Sequence, residues 1–326
     1  MKAMILAAGF GTRLFPLTID RTKPAIPFLG KPLVGYVAEY VAKFGFKEVV
    51  VNLHHQPDSV IRALGDGKDF GVHIDYTLEE PEILGTGGAL DNARHLLEDE
   101  TFLIVNGKII TDIDISKAVE THKKSGALAT MVLKENPKRE RFTIVDTDNG
   151  LVKGFPGFPT PAENEDIQAP LMFTGIHIVE PVVFDYIQPG EYSDIVQVFY
   201  RKAIEEGKPI AAHVAAGTWY ELSTIPRYLD ISLAMMDPGN SVFAGLGGSI
   251  SEGASVTNSV IWDDVVIEDH ARLNRAIVAD GVRIPSGSEF ENVAIVRAEM
   301  LTHATEVPEK ALRGEYIGEN YVVSLG

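Results

Sequence analysis

Apolar positions in the first two thirds of the chain fall into short continuous runs and helical stripes that take turns. Met4-Ile5-Leu6-Ala7-Ala8 is an unbroken apolar run and predicts a short buried strand that ends at Gly9. Val34, Val37, Val41 and Phe44 lie on one face at helical spacing and predict a helix over 34–44. Glu48-Val49-Val50-Val51-Asn52-Leu53 predicts a strand buried on both faces, and Ser59 to Leu64 a short helix. The pattern goes on with a strand over 72–76, a helix over 86–97 opened by glycines, and a strand over 101–106. A helix over 116–125, capped by Ser116, and a strand over 128–134 complete it. Such a succession predicts an α/β fold with a doubly wound, mostly parallel sheet. Ligands of these sheets bind beyond the carboxyl ends of the strands. The glycine turn after the first strand and Asn106-Gly107 after a later one are therefore placed on one edge.

The pattern changes at Asp237-Pro238-Gly239. Beyond it the chain repeats every 17 residues, with Ile250, Ile267 and Ile284 opening equivalent segments that end at Val256, Leu273 and Phe290. Ile261, Val278 and Ile295 keep the same step. Fixed-period aliphatics between small and polar residues mark a β-solenoid. A period near three hexapeptides predicts a short left-handed parallel β-helix. The chain thus divides into residues 1–236 and 237–326, with the solenoid as a scaffold. Stacked coils leave an open apolar end, which predicts packing on the first domain or on another subunit.

Composition adds exclusions. Among 326 residues, 46 carboxylates against 29 lysines and arginines give a net charge of −17. Such a field repels nucleic acid and anionic membranes, so neither is expected as a partner. It also repels free phosphates, so a phosphate site here has to be made locally from backbone amides and a few cations. No apolar run approaches the ~18 residues of a membrane span. With no signal peptide read at the first strand and no cysteine, a cytoplasmic chain without disulfides or thiolate chemistry is expected.

The local cations sit where they are needed. Leu6-Ala7-Ala8-Gly9-Phe10-Gly11-Thr12-Arg13-Leu14 follows the first strand with two glycines, whose backbone can approach a ligand closely. Turn amides cradle polyphosphate oxygens. Arg13 offers a planar charged fork, and Lys23, in Thr22-Lys23-Pro24, a point charge ten residues on.

Strand, glycine turn, arginine and Lys-Pro together resemble the signature of the sugar-1-phosphate nucleotidylyltransferases, and the resemblance runs along nearly the whole chain. It implies a Rossmann-like nucleotidyltransferase domain that takes a nucleoside triphosphate and a sugar 1-phosphate and uses Mg2+. Several members carry a left-handed β-helical tail, through which a homo-oligomer is plausible here. The resemblance places Leu6, Ala8, Gly9, Gly11, Thr12 and Arg13 around the nucleotide, with Arg13 on the leaving pyrophosphate and Lys23 on phosphate at the reacting centre. Leu78-Glu79-Glu80-Pro81-Glu82-Ile83-Leu84-Gly85-Thr86-Gly87-Gly88 looks like the base-recognition segment. There Gly85, Thr86 and a carboxylate from Glu79 or Glu80 would read the base. A carboxylate can accept from both N1 and the amino group of guanine. The wording is nearest to the mannose-1-phosphate guanylyltransferases, which favours GTP and mannose 1-phosphate. A helix N-terminus with acidic residues set for the macrodipole accounts for the same glutamates. Met172-Phe173-Thr174-Gly175-Ile176-His177 resembles the strand whose glycine lets the backbone approach the hexose.

The chain departs from the family at the metal. The usual Asn-Gly-Asp reads Asn106-Gly107-Lys108 here, and the later Trp-x-Asp reads Trp219-Tyr220-Glu221. Asn106, Gly107, Gly175 and Glu221 remain candidate sugar-site residues, and Glu221 is the one motif carboxylate left for a metal. A protonated Lys108 cannot bind a cation. The family's Glu-Lys-Pro segment is replaced in the region of Val152-Lys153-Gly154-Phe155-Pro156. Two readings follow. Either the Lys108 ammonium neutralises phosphate where the metal stood, or the chain binds nucleotide sugars without turning them over. Asp112 and Asp114 suggest a displaced metal site, although a capping role suits Asp112 better. His54 and His55 are read as loop residues.

Overall fold

In the computed structural model, which describes residues 1–160, 168–302 and 307–326, the first apolar run forms a strand over Ala3–Leu6, β1. It stops two residues short of the run because Ala7 gives its N–H to the side chain of Asn52 instead of to a neighbouring strand. The other main-sheet strands are β2 (Glu48–Leu53), β3 (His73–Leu78), β4 (Phe102–Asn106), β5 (Ala129–Glu135), β6 (Ile144–Asp148), β7 (Leu151–Gly157), β8 (Leu171–Val179) and β9 (Ile210–Val214). Their order is β3-β2-β1-β4-β8-β5-β9-β7-β6, with a further pairing of β8 with β6.

The β1–β2, β1–β4, β2–β3 and β5–β9 pairs are parallel, whereas β8 runs against both β4 and β5. The doubly wound sheet is therefore present as a mixed one, parallel through β3-β2-β1-β4 and β5-β9, with β8 reversed in its interior and β7 antiparallel to both β9 and β6. The reversal has a consequence for function. It brings the start of β8, including Gly175, to the same edge as the ends of β1 and β4. Met4, Val50, Phe102, Ile104, Met131 and Leu133 are buried in the core beneath this edge. Each such side chain contributes about 1.5–3 kcal/mol when removed from water.

The helices follow the periodicity with two corrections. The segment read as one helix over 86–97 is two, Gly85–Asn92 and Arg94–Leu97. At Ala93 the N–H is shared between the carbonyls of Ala89 and Leu90, so the backbone tightens there before the helix restarts. The helix Ile115–Ser125 is capped by Asp114, not Ser116: the Asp114 carboxylate accepts from the Ser116 N–H at 3.0 Å. That bond, with the Ser116 hydroxyl on the same oxygen, holds the Asp114 carboxyl below its ordinary range. Asp112 does not cap this helix either, because its Oδ1 accepts from the Thr218 N–H.

Two compact units divide the chain. One comprises Met1–Gly9, Gly35–Pro57 and Leu64–Trp219 and holds the main sheet. The other comprises Phe10–Val34, Asp58–Ala63 and Tyr220–Gly326. Its solenoid has the register that the 17-residue period demands. Ser249–Ile250, Val266–Ile267 and Arg283–Ile284 stack in parallel, with Ile250 on Ile267 on Ile284. Val256, Leu273 and Phe290 stack on a second face, and Ile261, Val278 and Ile295 on a third. Ile267 and Ile284 are buried, whereas Ile250 is 41% exposed at the end of its ladder. The opposite end is closed by the chain itself. Asn320–Ser324 pairs antiparallel with Glu289–Arg297, and Gly314–Ile317 pairs with Asn320–Ser324. An end covered by another domain or subunit is thus not needed there. The left-handed parallel β-helix predicted from the period is the architecture of this region.

Candidate functional site

In the sheet-bearing unit, four chain segments meet at the carboxyl edge. Ala7, Ala8 and Gly9 leave β1, with Ala8 buried and Gly9 exposed. Beside them the Gly107 N–H donates to the Leu6 carbonyl at 2.9 Å. A Cβ at Gly107 would stand 2.9 Å from that same oxygen, so only glycine lets the Asn106-Gly107-Lys108 turn lie against the end of β1. Lys108 is half-buried immediately beyond.

The second meeting point is a bulge in β8. Phe173 pairs with Leu133 and His177 with Met131, so the strand gains length between them. Gly175 occupies the bulge at φ +78°, and a Cβ on it would be 2.0 Å from the Asn106 amide nitrogen. Gly175 and Asn106, both read from sequence as sugar-site residues, are thus in van der Waals contact. The neighbouring Thr174 carbonyl accepts from the Trp219 indole at 3.0 Å, and Phe142 meets the Trp219 ring edge-on at 5.1 Å. Trp219 therefore holds the bulge from one side, a role its sequence motif did not disclose.

A directional hydrogen-bond chain fixes the third segment. Asn52 Oδ1 accepts from the Ala7 N–H at 2.9 Å, and its Nδ2 donates to Glu79 Oε1 at 2.5 Å. Glu79 Oε2 accepts from the Leu84 N–H at 2.6 Å, and the Glu79 carbonyl accepts from His54 Nδ1 at 2.9 Å. Both carboxylate oxygens of the buried Glu79 are therefore occupied within the protein. Of the two glutamates considered for the base, Glu79 is thus buried and engaged within the protein, whereas Glu80 is exposed. Asn52 was missed in the sequence, although a polar residue near the end of an otherwise apolar strand was a usable signal. His54 is a loop residue as read, with its ring given to this network. Burial, and then His54 beside it, push the His55 imidazole below its ordinary range.

The loop beyond Leu84 is clamped by residues 191–195. The Ser193 N–H donates to the Leu84 carbonyl at 2.9 Å, and the Gly87 N–H to the Ser193 carbonyl at 2.8 Å. Gly85 sits at φ +72°, and a Cβ there would lie 2.6 Å from the Ser193 carbonyl. The Thr86 hydroxyl accepts from the Ile195 N–H at 2.9 Å and donates to Asp194. What Gly85 and Thr86 can present to a ligand is therefore backbone rather than side chain.

The remaining candidates belong to the other compact unit. Gly11 adopts φ +68°, and its carbonyl accepts from the Leu14 N–H at 2.9 Å, closing the turn Thr12–Leu14 on which Arg13 is exposed. A Cβ at Gly11 would stand 2.9 Å from the Lys23 Cβ. The glycine turn and Lys23 are thus in contact despite the intervening residues. Glu221 is buried, and its carbonyl accepts from Arg227 Nε at 2.7 Å.

The motif positions do not fit a resident magnesium ion. Magnesium takes an octahedral set of hard oxygens. Of the two motif positions, Lys108 offers an ammonium and Glu221 alone a carboxylate, while Asp112 and Asp114 each give one oxygen to a backbone N–H, that of Thr218 and of Ser116. Among the described residues, Glu48, His73 and Asp75 bring ligand atoms within 4.8 Å of one another. They stand exposed at the starts of β2 and β3, at the opposite edge of the sheet from Lys108. No helix among the described residues is long and apolar enough to cross a membrane.

Comparison with known proteins adds three findings. Residues 2–237 match the family described as Nucleotidyl transferase, and residues 239–310 match GlmU-like, C-terminal hexapeptide. The chain is 30% identical over 350 residues to a UTP--glucose-1-phosphate uridylyltransferase of Synechocystis, covering 97% of this chain and 88% of that protein. It is 31% identical over 310 residues to mannose-1-phosphate guanylyltransferase 1 of Arabidopsis thaliana, covering 87% of this chain and 82% of that one. A solved Bacillus anthracis structure assigned to glucose-1-phosphate thymidylyltransferase superposes with a TM-score of 0.62 at 22% identity. It covers 74% of this chain and 98% of that one, a likeness of fold.

Proposed function

The chain belongs to the nucleotidyl transferase family, and we propose that it moves a nucleotidyl group from a nucleoside triphosphate to a sugar 1-phosphate. GTP and mannose 1-phosphate are the favoured pair. A phosphate oxygen of the sugar 1-phosphate attacks the α-phosphorus in line. The α–β bridging bond breaks, and pyrophosphate leaves with the electron pair. The protein's part is positioning and charge neutralisation.

The observation that carries the reading is the shared edge. The end of β1, the clamped Glu80–Thr86 loop, the Asn106-Gly107-Lys108 turn and the Gly175 bulge are brought together there by hydrogen bonds and close backbone contacts. Leu6, Ala8, Gly9, Gly11 and Thr12 supply backbone to the nucleotide, and Arg13 and Lys23 meet its phosphates. Gly85, Thr86 and Glu80 face the base, with the Glu80 carboxylate accepting from guanine. Asn106, Gly107, Gly175 and Glu221 address the sugar. Lys108 neutralises the reacting phosphates where a family aspartate would bind Mg2+, so no step is assigned to a metal. Residues 1–236 form the catalytic portion and 237–326 the solenoid, through which a homo-oligomer assembles.

Lys108 also favours a second reading, a nucleotide-sugar sensor without turnover. Pyrophosphate release measured with GTP, UTP, dTTP, ATP and CTP, each crossed with mannose, glucose and N-acetylglucosamine 1-phosphates, separates the two. Release with GTP and mannose 1-phosphate is expected. Release with another pair refutes the specificity alone. Silence across the panel with nucleotide-sugar binding intact replaces the transferase with the sensor.

A further inference from the structure

Arg21 lies two residues before Lys23 and is tied to the solenoid. Its Nε and Nη2 donate to the two oxygens of Asp20 at 2.8 and 2.9 Å, and Nη2 meets Asp280 Oδ2 at 2.7 Å. The guanidinium also lies over the Trp262 ring, 5.5 Å from its centroid. Asp280 is itself held, because its Oδ1 accepts from the Asp263 N–H at 3.1 Å. Six residues after Arg21 the chain is fastened again: the Pro27 carbonyl accepts from the Tyr228 hydroxyl at 2.6 Å. That hydroxyl in turn accepts from the Trp262 indole at 3.0 Å. Between the two anchors the Thr22 N–H donates to the Ser59 hydroxyl at 3.1 Å, and Lys23 backs onto Gly11.

We infer that the solenoid positions the phosphate-binding loop, with Asp280 and Trp262 as positioning residues that act through Arg21 on Lys23 and the Gly11–Leu14 turn. The inference rests on the reading of Arg13 and Lys23 as phosphate ligands given above. A loop with a mobile lysine forfeits part of the rate that fixed geometry confers, and small displacements are costly. A guanidinium fork held by two carboxylates and stacked on an indole restricts Arg21 in direction as well as distance, which a lysine could not reproduce. The tail is thereby part of the transfer machinery as well as a scaffold.

The test is Asp280→Asn in the full chain, which keeps the size of the side chain and its acceptor for the Asp263 N–H but removes the charge facing Arg21. Binding of GTP and of GMP is measured by calorimetry, together with kcat and KM. The variant is expected to bind GTP about tenfold more weakly, with GMP binding unchanged, and to lose about tenfold in kcat. Arg21→Lys should do the same. Ile284→Val, which thins the solenoid core without touching the loop, should lower Tm and leave the GTP-to-GMP ratio alone. Equal loss of GTP and GMP binding in Asp280→Asn, or the Ile284→Val pattern in its place, overturns the inference. If GTP binding needs Arg13 and Lys23 but ignores Asp280→Asn, the inference fails and the loop reading stands. If GTP binding is indifferent to Arg13→Ala and Lys23→Ala, the loop reading fails and the inference with it.

Discussion

The Asn52–Glu79 chain makes a prediction whose sign is set by hydrogen-bond direction. The Ala7 N–H can only donate, so Asn52 must turn its oxygen toward Ala7 and its amide nitrogen toward Glu79. The Leu84 N–H can also only donate, so both Glu79 oxygens have to accept. Glu79→Gln is nearly isosteric but has a single acceptor oxygen, and leaves two donors facing each other in a buried place. A buried donor left unmatched costs about 1–3 kcal/mol, and the surviving bond loses its charge assistance, about 1 kcal/mol more. The sum is about 3 kcal/mol, a fall in Tm of about 6–12 °C for a unit of this size. Asn52→Asp alone sets two carboxylates against each other and should also destabilise. The double variant Asn52→Asp with Glu79→Gln restores a matched chain. The carboxylate introduced at position 52 would then accept both from the Ala7 N–H and from the amide introduced at position 79. Urea denaturation of the four proteins gives the coupling, expected at about 2–3 kcal/mol in favour of the double variant. Amide exchange at Leu84 should quicken in Glu79→Gln and slow again in the double variant. Additive effects, or a Glu79→Gln protein within about 0.5 kcal/mol of the parent, would refute the reasoning.

Two further outcomes follow from the same geometry. Burial pushes the His177 imidazole, which is hydrogen-bonded to Tyr200, from 6.5 down to about 3. The unfolded chain then binds the extra proton first. Stability is full above about pH 6.5 and falls by about 1.4 kcal/mol per unit as the pH drops toward 3. Urea midpoints against pH should show this slope and lose it in His177→Gln; an identical slope in that variant contradicts the assignment. Gly175→Ala puts a methyl where the Asn106 amide stands, at a backbone angle that alanine resists. Sugar 1-phosphate KM should rise at least tenfold while GTP affinity is kept, and an unchanged KM would remove Gly175 from the acceptor site.

Much of the sheet was legible because its strands are buried on both faces and read as continuous apolar runs. The solenoid was legible to the residue, since a 17-residue ladder has one register that stacks Ile250, Ile267 and Ile284. The reversal of β8 was not legible, because a fully buried strand carries no mark of its direction. The glycines and Lys23 announced themselves through residue type, and the structure puts Gly11 against Lys23 and Gly175 against Asn106. Glu79 and Glu80 were indistinguishable by type. What separates them is Asn52, which lies 27 residues earlier and reaches Glu79 only through the pairing of β2 with β3. The Arg21–Asp280 pair was beyond reach for the same reason, as nothing local links residues so far apart.

The central claim is that Lys108 does at the reacting phosphates what a metal does elsewhere in the family. Its most direct test is the rate of pyrophosphate release from GTP and mannose 1-phosphate in excess chelator, for the parent and for Lys108→Met and Lys108→Asp. The account predicts turnover in chelator by the parent, its loss in Lys108→Met, and no chelator-resistant activity in Lys108→Asp. A parent that is active with magnesium, silent in chelator and indifferent to Lys108→Met would contradict it.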